Sequence, residues 1–92
     1  MKSIIQNEKE CFLCKTIYNL HNHHIFYGTA NRRLSEKYGL KVWLCGNHHN
    51  LSNEGVHFNR ELDLHIKRIG QAAFEKTHTR EEFMKIFGKN YL

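Results

Sequence analysis

Proline is absent from this chain of 92 residues, and cysteine occurs only three times. Three cysteines cannot all pair with one another, so disulfide bonds cannot account for them. No apolar run approaches the roughly 18 residues needed to cross a bilayer, so we expect no membrane-spanning segment. The opening residues, 1–10, are polar and lack a signal-peptide pattern. We therefore expect the protein in a reducing cytoplasm.

Repeats, low-complexity tracts and Ser/Gly-rich linkers are also lacking, so residues 1–92 are predicted to form one domain, with 1–10 loosely ordered. A chain this short buries only about 60–65% of the surface that it exposes when unfolded. Domains of this size usually need a disulfide, a metal or a partner subunit to be stable. Because disulfides are disfavoured here, the sequence points to a metal.

Histidine, by contrast, is abundant, with eight residues in the chain. Histidine is the commonest metal ligand in proteins and a base suited to neutral pH, so this excess indicates metal binding or acid–base chemistry. The formal net charge is +5. A positive balance favours a polyanionic partner, although many basic domains never contact nucleic acid.

Local patterns predict two strands and one helix in the first half of the chain. Leu20 to Tyr27 is predicted to be a strand that carries three histidines. Ala30 to Tyr38 follows as a short helix, ended by Gly39 in the left-handed conformation. The β-branched and aromatic run Lys41 to Cys45 is the second strand.

Two further helices are predicted in the second half. Apolar residues recur at helical spacing from Phe58 to Ala73 and indicate one helix with an apolar stripe. Thr79-Arg80-Glu81-Glu82 has the sequence of a capping box, so a last helix should begin at Thr79 and end near Gly88. The apolar residues expected to form the core of this region are Phe58, Leu62, Ile66, Ile69, Phe74, Phe83 and Phe87, with Trp43 buried beneath them.

The cysteines are spaced for zinc. Cys11 and Cys14 form a CxxC pair, and Cys45 with His48 repeats the same spacing further along the chain. Three thiolates and one imidazole complete a tetrahedral site of the structural kind. The alternative is that the cysteines are reduced core residues and that His48 is merely exposed. A thiol redox enzyme is disfavoured, because Cys45 and His48 explain the CxxC pair better.

Four other histidines lie near these two pairs: His23, His24, His49 and His57. Neighbouring side chains on a strand point to opposite faces, so His23 and His24 cannot both bind one ion from regular geometry. One can hold a metal while the other addresses a water molecule. The alternative is that each is an ordinary surface or core histidine, the interpretation that we adopt for His21, His65 and His78.

Taken together, these motifs resemble those of a known nuclease family. The motifs are His23-His24-Ile25-Phe26, Asn31-Arg32-Arg33, Leu44-Cys45-Gly46-Asn47-His48-His49 and Gly55-Val56-His57, after the CxxC pair. The stretch from Cys11 to His57 is similar to the zinc-bound form of the HNH (ββα-metal, His-Me finger) endonucleases. Small phage- or prophage-encoded members, including recombination-associated nucleases, are the most similar. The C-terminal helices lie outside the resemblance.

The resemblance implies a role for each matching position. His23 would bind the catalytic metal, His24 would be the general base, and His49 would be the second metal ligand. The asparagine that braces the loop between the strands in this family would be Asn31, with Asn50 and Asn53 as competitors.

The last metal ligand has two candidates. Many family members place it one helical turn after the preceding ligand, and that position here is Asn53. His57 comes eight residues after His49, with Gly55 between them to break the helix and allow the chain to loop back. We favour His57.

The implied fold is α+β: a zinc-stapled ββα-metal core over residues 11–57 with additional C-terminal helices over residues 58–92. The implied cofactors are a structural Zn²⁺ and one catalytic divalent ion, which could be Mg²⁺, Mn²⁺, Ni²⁺, Co²⁺ or Zn²⁺. The implied activity is hydrolysis of phosphodiester bonds in nucleic acid, with DNA the expected substrate. The alternative is a non-catalytic zinc module that binds nucleic acid or a protein partner.

Basic residues near these motifs are candidates for phosphate contacts, which position nucleic acid without reading its sequence. They are Arg32, Arg33, Arg60, Lys67 and Arg68. For the last three, a solvated helix face is an equal alternative, because acidic residues interrupt the positive stretch. We expect little sequence specificity, with targeting supplied by another protein, such as a recombination or packaging protein, or by DNA structure.

Overall fold

The computed structural model describes residues 3–50 and 55–92. It has an α+β architecture with a two-stranded sheet. In chain order, the elements are β1 (Leu20–His24), α1 (Thr29–Tyr38), β2 (Lys41–Cys45), α2 (Gly46–His49), α3 (Arg60–Phe74) and α4 (Arg80–Phe87). In these two described ranges, no helix has the length and apolar character required to span a membrane.

The two strands form an antiparallel pair in which Leu20 lies opposite Cys45 and His24 opposite Lys41. Val42 and Leu44 are buried on one face of β2, as the alternation of side chains along a strand requires. The bounds predicted for β2 are confirmed. The sheet supplies the platform from which the histidines of β1 project.

The first strand ends earlier than predicted, at His24 rather than Tyr27. The cause lies in Ser35 on α1, whose buried hydroxyl accepts from the backbone N–H of Phe26 at 3.1 Å and donates to its carbonyl at 2.8 Å. Both backbone groups of Phe26 are thereby satisfied by a side chain instead of by a strand partner. Ser35 also fixes α1 against the end of β1.

Helix α1 ends as predicted, at Gly39 with φ 70°. In this conformation the N–H of the glycine returns to the carbonyls of Ser35 and Glu36. A residue with a Cβ would be strained there. The next residue, Leu40, is fully buried, so the chain turns directly from the helix into the core and β2.

Helices α3 and α4 each begin at a side-chain cap, and the sequence predicted only the cap of α4. Asn59 accepts from the backbone N–H of Leu62 at 3.1 Å. Thr79 and Glu82 form the predicted capping box, and Gly88 ends α4 in the left-handed conformation. The prediction that Phe58 belongs to the core is wrong, since its side chain is 64% exposed. Phe58 precedes the Asn59 cap and therefore lies outside the helix and its apolar stripe.

Aromatic side chains form the centre of the core. The ring of Phe26, just after β1, lies 5.2 Å from that of Phe83 and 4.7 Å from that of Phe87, both on α4. Phe74 of α3 joins them, with its ring 5.5 Å from that of Phe83. All four are buried. The C-terminal helices are therefore packed against the segment that follows β1.

The prediction that Trp43 is buried under the C-terminal helices is wrong. Trp43 is half-buried and lies on the face of β2 opposite Val42 and Leu44. The segment 3–10, expected to be loosely ordered, contacts it there. The Gln6 side chain accepts from the backbone N–H of Trp43 at 2.8 Å, and the Lys9 ammonium lies 4.8 Å from the centre of the Trp43 ring.

Candidate metal centres

The CxxC segment folds into a tight turn that directs both sulfurs to one side. The carbonyl of Cys11 accepts from the N–H of Lys15 at 2.9 Å, and the N–H of Cys11 donates to Thr16 at 2.8 Å. Lys15 adopts a left-handed conformation with φ 68° to close this turn. The turn is joined to β2 because the N–H of Phe12 donates to the carbonyl of Trp43 at 2.8 Å.

The first cluster consists of Cys11, Cys14, Cys45 and His48, whose ligand atoms all lie within 4.8 Å of one another. The sulfurs of Cys14 and Cys45 are 3.7 Å apart, and Nδ1 of His48 lies 3.2 Å from the sulfur of Cys45. Zn–S bonds of about 2.3 Å at the tetrahedral angle require sulfurs about 3.8 Å apart. The four predicted zinc ligands are therefore brought together with spacing that fits zinc.

The two buried sulfurs of this cluster differ in acidity. Burial raises the pKa of Cys11, but backbone N–H groups of Cys45, Cys14 and Leu13 outweigh it and lower the pKa to about 6. Burial also raises the pKa of Cys45, and the neighbouring sulfurs of Cys14 and Cys11 raise it further. The turn thus presents one ready thiolate, which is the form that binds metal.

The second cluster consists of His23 on β1, His49 on α2 and His57, with ligand nitrogens all within 4.8 Å of one another. Nε2 of His49 lies 3.2 Å from Nε2 of His57. Two imidazoles bound to one ion at about 2.0–2.1 Å with tetrahedral angles place their nitrogens about 3.3 Å apart. The spacing fits an ion held between them.

The His23 side chain gives a further indication of a missing partner. This residue is only 2% exposed, and its Nε2 is buried without a hydrogen-bond partner among the residues that the structure describes. A buried polar atom is normally satisfied, and coordination to an ion would satisfy this one. Three imidazoles, one of them with this unpartnered nitrogen, suit a divalent transition-metal ion.

The protonation state of these histidines also favours metal binding. Burial, followed by the neighbouring imidazoles of His49 and His57, lowers the pKa of His23 to about 3. Burial, followed by His57 and His21, lowers the pKa of His49 to about 4. Both rings are therefore neutral near pH 7, and a neutral ring offers a lone pair to an ion without first losing a proton.

Backbone hydrogen bonds bring His57 back to α2. The N–H of Val56 donates to His48 at 2.9 Å, and the N–H of His57 donates to His49 at 3.3 Å. A Cβ on Gly55 would lie 2.7 Å from the carbonyl oxygen of His49, closer than real Cβ atoms approach. The close approach that places His57 therefore requires glycine at position 55.

His24 follows His23 on β1, and its side-chain partner is Glu36 on α1. Its Nε2 lies 3.0 Å from Oε1 of Glu36. The other carboxylate oxygen of Glu36 accepts from Lys41 at 2.8 Å. The Lys41 ammonium, followed by the His24 ring, lowers the pKa of Glu36 to about 2. The carboxylate is therefore ionised near neutral pH and able to accept a hydrogen bond from a ring N–H of His24.

A cleft of about 430 Å³ joins the second cluster to His24. Its lining residues are Asn22, His23, His24, Tyr27, Arg32, His49, Asn50 and His57. A cavity of this volume can admit a phosphodiester group. The cleft thus combines three candidate ligands, one candidate base and one guanidinium, that of Arg32.

Of the other predicted site residues, some line the cleft and others do not. Asn31 is half-buried on α1, where the bond to Phe26 that fixes this helix comes from Ser35 instead. Asn50 lines the cleft, and Asn53 lies outside the described residues. The Lys67 ammonium pairs with Asp63 at 2.9 Å, and its side chain is only 13% exposed. Lys67 is thus less available to a phosphate than the sequence suggested.

The remaining basic candidates, Arg33, Arg60 and Arg68, are exposed. Among the histidines expected to be structural, His65 is exposed, and the ring of His78 stacks on Phe74 at 4.2 Å. His21 differs from both, because its Nδ1 lies 2.8 Å from Nδ1 of His49.

Sequence reasoning missed two neighbours of the site, His21 and Glu36. The signal for His21 was available, since residues two apart on a strand share a face, and His21 therefore lies on the face of His23. No signal singled out Glu36 from the other acidic residues. Comparison of the chain with protein-family models, curated proteins and solved structures finds no match.

Proposed function

We propose that this protein is a metal-dependent endonuclease of the HNH (ββα-metal) type that hydrolyses phosphodiester bonds of nucleic acid. The expected substrate is DNA, cut with little sequence specificity. The observation that carries the proposal is the convergence of His23, His49 and His57 beside His24 in one cleft. A zinc-binding module without catalysis would need the first cluster but not this second one.

The first cluster would hold a structural Zn²⁺ through Cys11, Cys14, Cys45 and His48. This ion would join the CxxC turn to the end of β2 and the start of α2. The second cluster would hold a catalytic divalent ion through His23, His49 and His57. When bound, such an ion neutralises charge on a non-bridging phosphate oxygen and on the departing 3′ oxygen.

The protein's own groups would supply the acid–base chemistry. Nε2–H of His24 donates to Glu36, which leaves Nδ1 of His24 with its lone pair free. As a water oxygen forms its bond to phosphorus, Nδ1 takes the proton that the water loses. The bond from phosphorus to the 3′ oxygen breaks, and that oxygen takes a proton from solvent. The products are a 5′-phosphate and a 3′-hydroxyl.

Arg32 is the basic residue that lines the cleft. Its guanidinium can hold two phosphate oxygens through two parallel N–H donors. This contact would orient the phosphodiester without reading the bases. Arg33, Arg60 and Arg68 are exposed and would add contacts along the backbone of the nucleic acid.

The test is cleavage of supercoiled plasmid and of single-stranded DNA by the purified protein. Chelation would also strip zinc from the first cluster, so the protein should carry zinc there before Mg²⁺ or Mn²⁺ is added. We expect metal-dependent nicking that falls about 10²–10⁴-fold in His24→Ala, the contribution typical of a general base. His65→Ala, which removes an exposed histidine on α3, is the matched control and should cleave normally.

The same experiment can also identify the alternative function, that of a zinc module that binds nucleic acid without catalysis. If wild-type protein and His24→Ala are equally inactive with every ion, while zinc is bound and DNA mobility still shifts, the enzyme proposal fails. The protein would then be a zinc-containing binding module. If His24→Ala cleaves as well as wild type, hydrolysis does not depend on the proposed base.

A further inference from the structure

The side chain of His21 contacts the second cluster from outside the set of ligands. Its Nδ1 lies 2.8 Å from Nδ1 of His49, and the two rings meet edge to face with centres 4.9 Å apart. His21 does not belong to the group of nitrogens that converge within 4.8 Å. It is therefore a neighbour of one ligand and not itself a ligand.

Both ring nitrogens of His49 are engaged. Nε2 faces Nε2 of His57 at 3.2 Å, and Nδ1 faces His21. A neutral imidazole carries one proton, and a nitrogen that binds metal carries none. If Nε2 of His49 binds an ion, its proton must be on Nδ1, which is the nitrogen that meets His21.

The rings of His21 and His49 are held by two different elements of the fold. His21 is on β1 opposite Leu44, and His49 is on α2. The start of α2 is bonded to the chain just before β1, because the N–H of Gly46 donates to Asn19 at 3.0 Å. The orientation of His49 is thus set by a contact between two elements that are themselves fixed relative to each other.

We propose that His21 is a positioning residue that accepts a hydrogen bond from Nδ1–H of His49 and thereby directs Nε2 of His49 to a divalent metal ion. His21 then carries its own proton on Nε2. Partners that fix the tautomer and orientation of a ligand histidine typically change metal affinity by about 10–100-fold. The proposal rests on the proposed metal site at His23, His49 and His57.

The test compares substitutions of His21 in protein whose first cluster already holds zinc, with a second equivalent of Zn²⁺ titrated by calorimetry. His21→Ala should weaken the second binding event about 10–100-fold. His21→Phe keeps an aromatic ring but no acceptor, so it should fail equally. His21→Gln offers an oxygen acceptor and should restore affinity to within a few-fold of wild type. His65→Ala is the control and should bind as wild type does.

Long-range proton–nitrogen NMR spectra of the wild-type protein provide a second measurement, independent of any variant. In the zinc-loaded protein, the proton of His49 should be on Nδ1 and that of His21 on Nε2. A His49 that carries its proton on Nε2, or a second binding event unchanged in His21→Ala, overturns the role of His21.

Other results of the same titration would contradict the proposed function itself. If wild type takes up no second equivalent, or if His49→Ala takes it up as well as wild type, the three-histidine site is wrong. The proposed function then falls together with this inference. If the second equivalent binds in wild type, is lost in His49→Ala and is unaffected in all three His21 variants, only the role of His21 is overturned.

Discussion

His48 and His49 are neighbours on α2, and each belongs to a different cluster. The cluster of His48 has four candidate ligands, three of them sulfur, and it joins segments distant in sequence. The cluster of His49 has three imidazoles and opens into a cleft. Closed four-ligand sites are structural, whereas catalytic sites keep a position for water or substrate. One short helix thus links the site expected to maintain the fold to the site expected to perform chemistry.

The difference between the two clusters is tested most strongly by removing a ligand from each. Structural zinc contributes about 10–16 kcal/mol of apparent binding energy in small peptides, comparable with the roughly 5–15 kcal/mol of stability of a whole domain. Cys45→Ser should therefore abolish the cooperative thermal unfolding transition seen by circular dichroism. His49→Ala should keep that transition and lose only the second ion. Equal unfolding of both variants would erase the distinction.

The second prediction concerns Glu36, which contacts the proposed base, His24. Glu36→Gln should lower the rate of cleavage by about 10-fold or more, but by less than the 10²–10⁴-fold expected for loss of the base itself. Zinc content and the second metal affinity should be unchanged. Glu8→Gln, at an exposed glutamate, is the matched control. A Glu36→Gln enzyme as active as wild type would show that His24 is oriented in another way.

The pH dependence of this contact follows from the lowered pKa of Glu36, which falls from 4.5 to about 2. A carboxyl group with a lowered pKa contributes stability above its unfolded value and loses it as pH falls through the folded value. The pair with His24 and Lys41 should therefore persist above pH 4.5. The pH profile of wild-type activity near neutrality should therefore show no step caused by ionisation of Glu36. A step near neutrality that disappears in Glu36→Gln would contradict this prediction.

A third prediction concerns Gly55, whose close approach to α2 places His57. In Gly55→Ala, the added Cβ would meet the carbonyl of His49 at 2.7 Å, so the segment must shift. Overpacking of this kind costs about 1–3 kcal/mol. We expect weaker binding of the second ion and normal zinc content at the first cluster, measured by metal analysis after dialysis. An unchanged second affinity would show that His57 is not a ligand.

The smallest effect expected is a difference in proton release when the two sites take up metal. The raised pKa of Cys45 keeps this thiol protonated at pH 7, so metal binding must displace its proton. The pKa values of His23 and His49, about 3 and about 4, leave both rings already deprotonated. Calorimetry in buffers of different ionisation enthalpy should find more protons released per ion at the first cluster. Equal release would contradict this assignment.

The sequence predicted the ligand groups better than the surroundings of the ligands. The spacing of Cys11, Cys14, Cys45 and His48 indicated the first group, because close pairs of ligands on one chain constrain where an ion can bind. The group of His23, His49 and His57 came from a family resemblance. Its members do converge, although the loop that returns His57 could not be derived from spacing alone.

What the sequence could not predict depends on packing between elements. The contact of His24 with Glu36 arises because Ser35 fixes α1 against the end of β1, and no pattern in the chain states that pairing. Trp43 was misplaced because β-propensity says that a residue fits a strand but not which face it occupies. Its alternation with Val42 and Leu44, both buried, identifies the face.

The most direct test of two neighbouring ions is a crystal of the zinc-containing protein soaked in Mn²⁺, with anomalous scattering collected at the absorption edges of both metals. The account predicts a zinc peak enclosed by Cys11, Cys14, Cys45 and His48. It predicts a second peak bound by nitrogens of His23, His49 and His57, on the cleft that also contains His24. A single zinc peak, with the three imidazoles free of metal at saturating Mn²⁺ and Zn²⁺, would contradict the account.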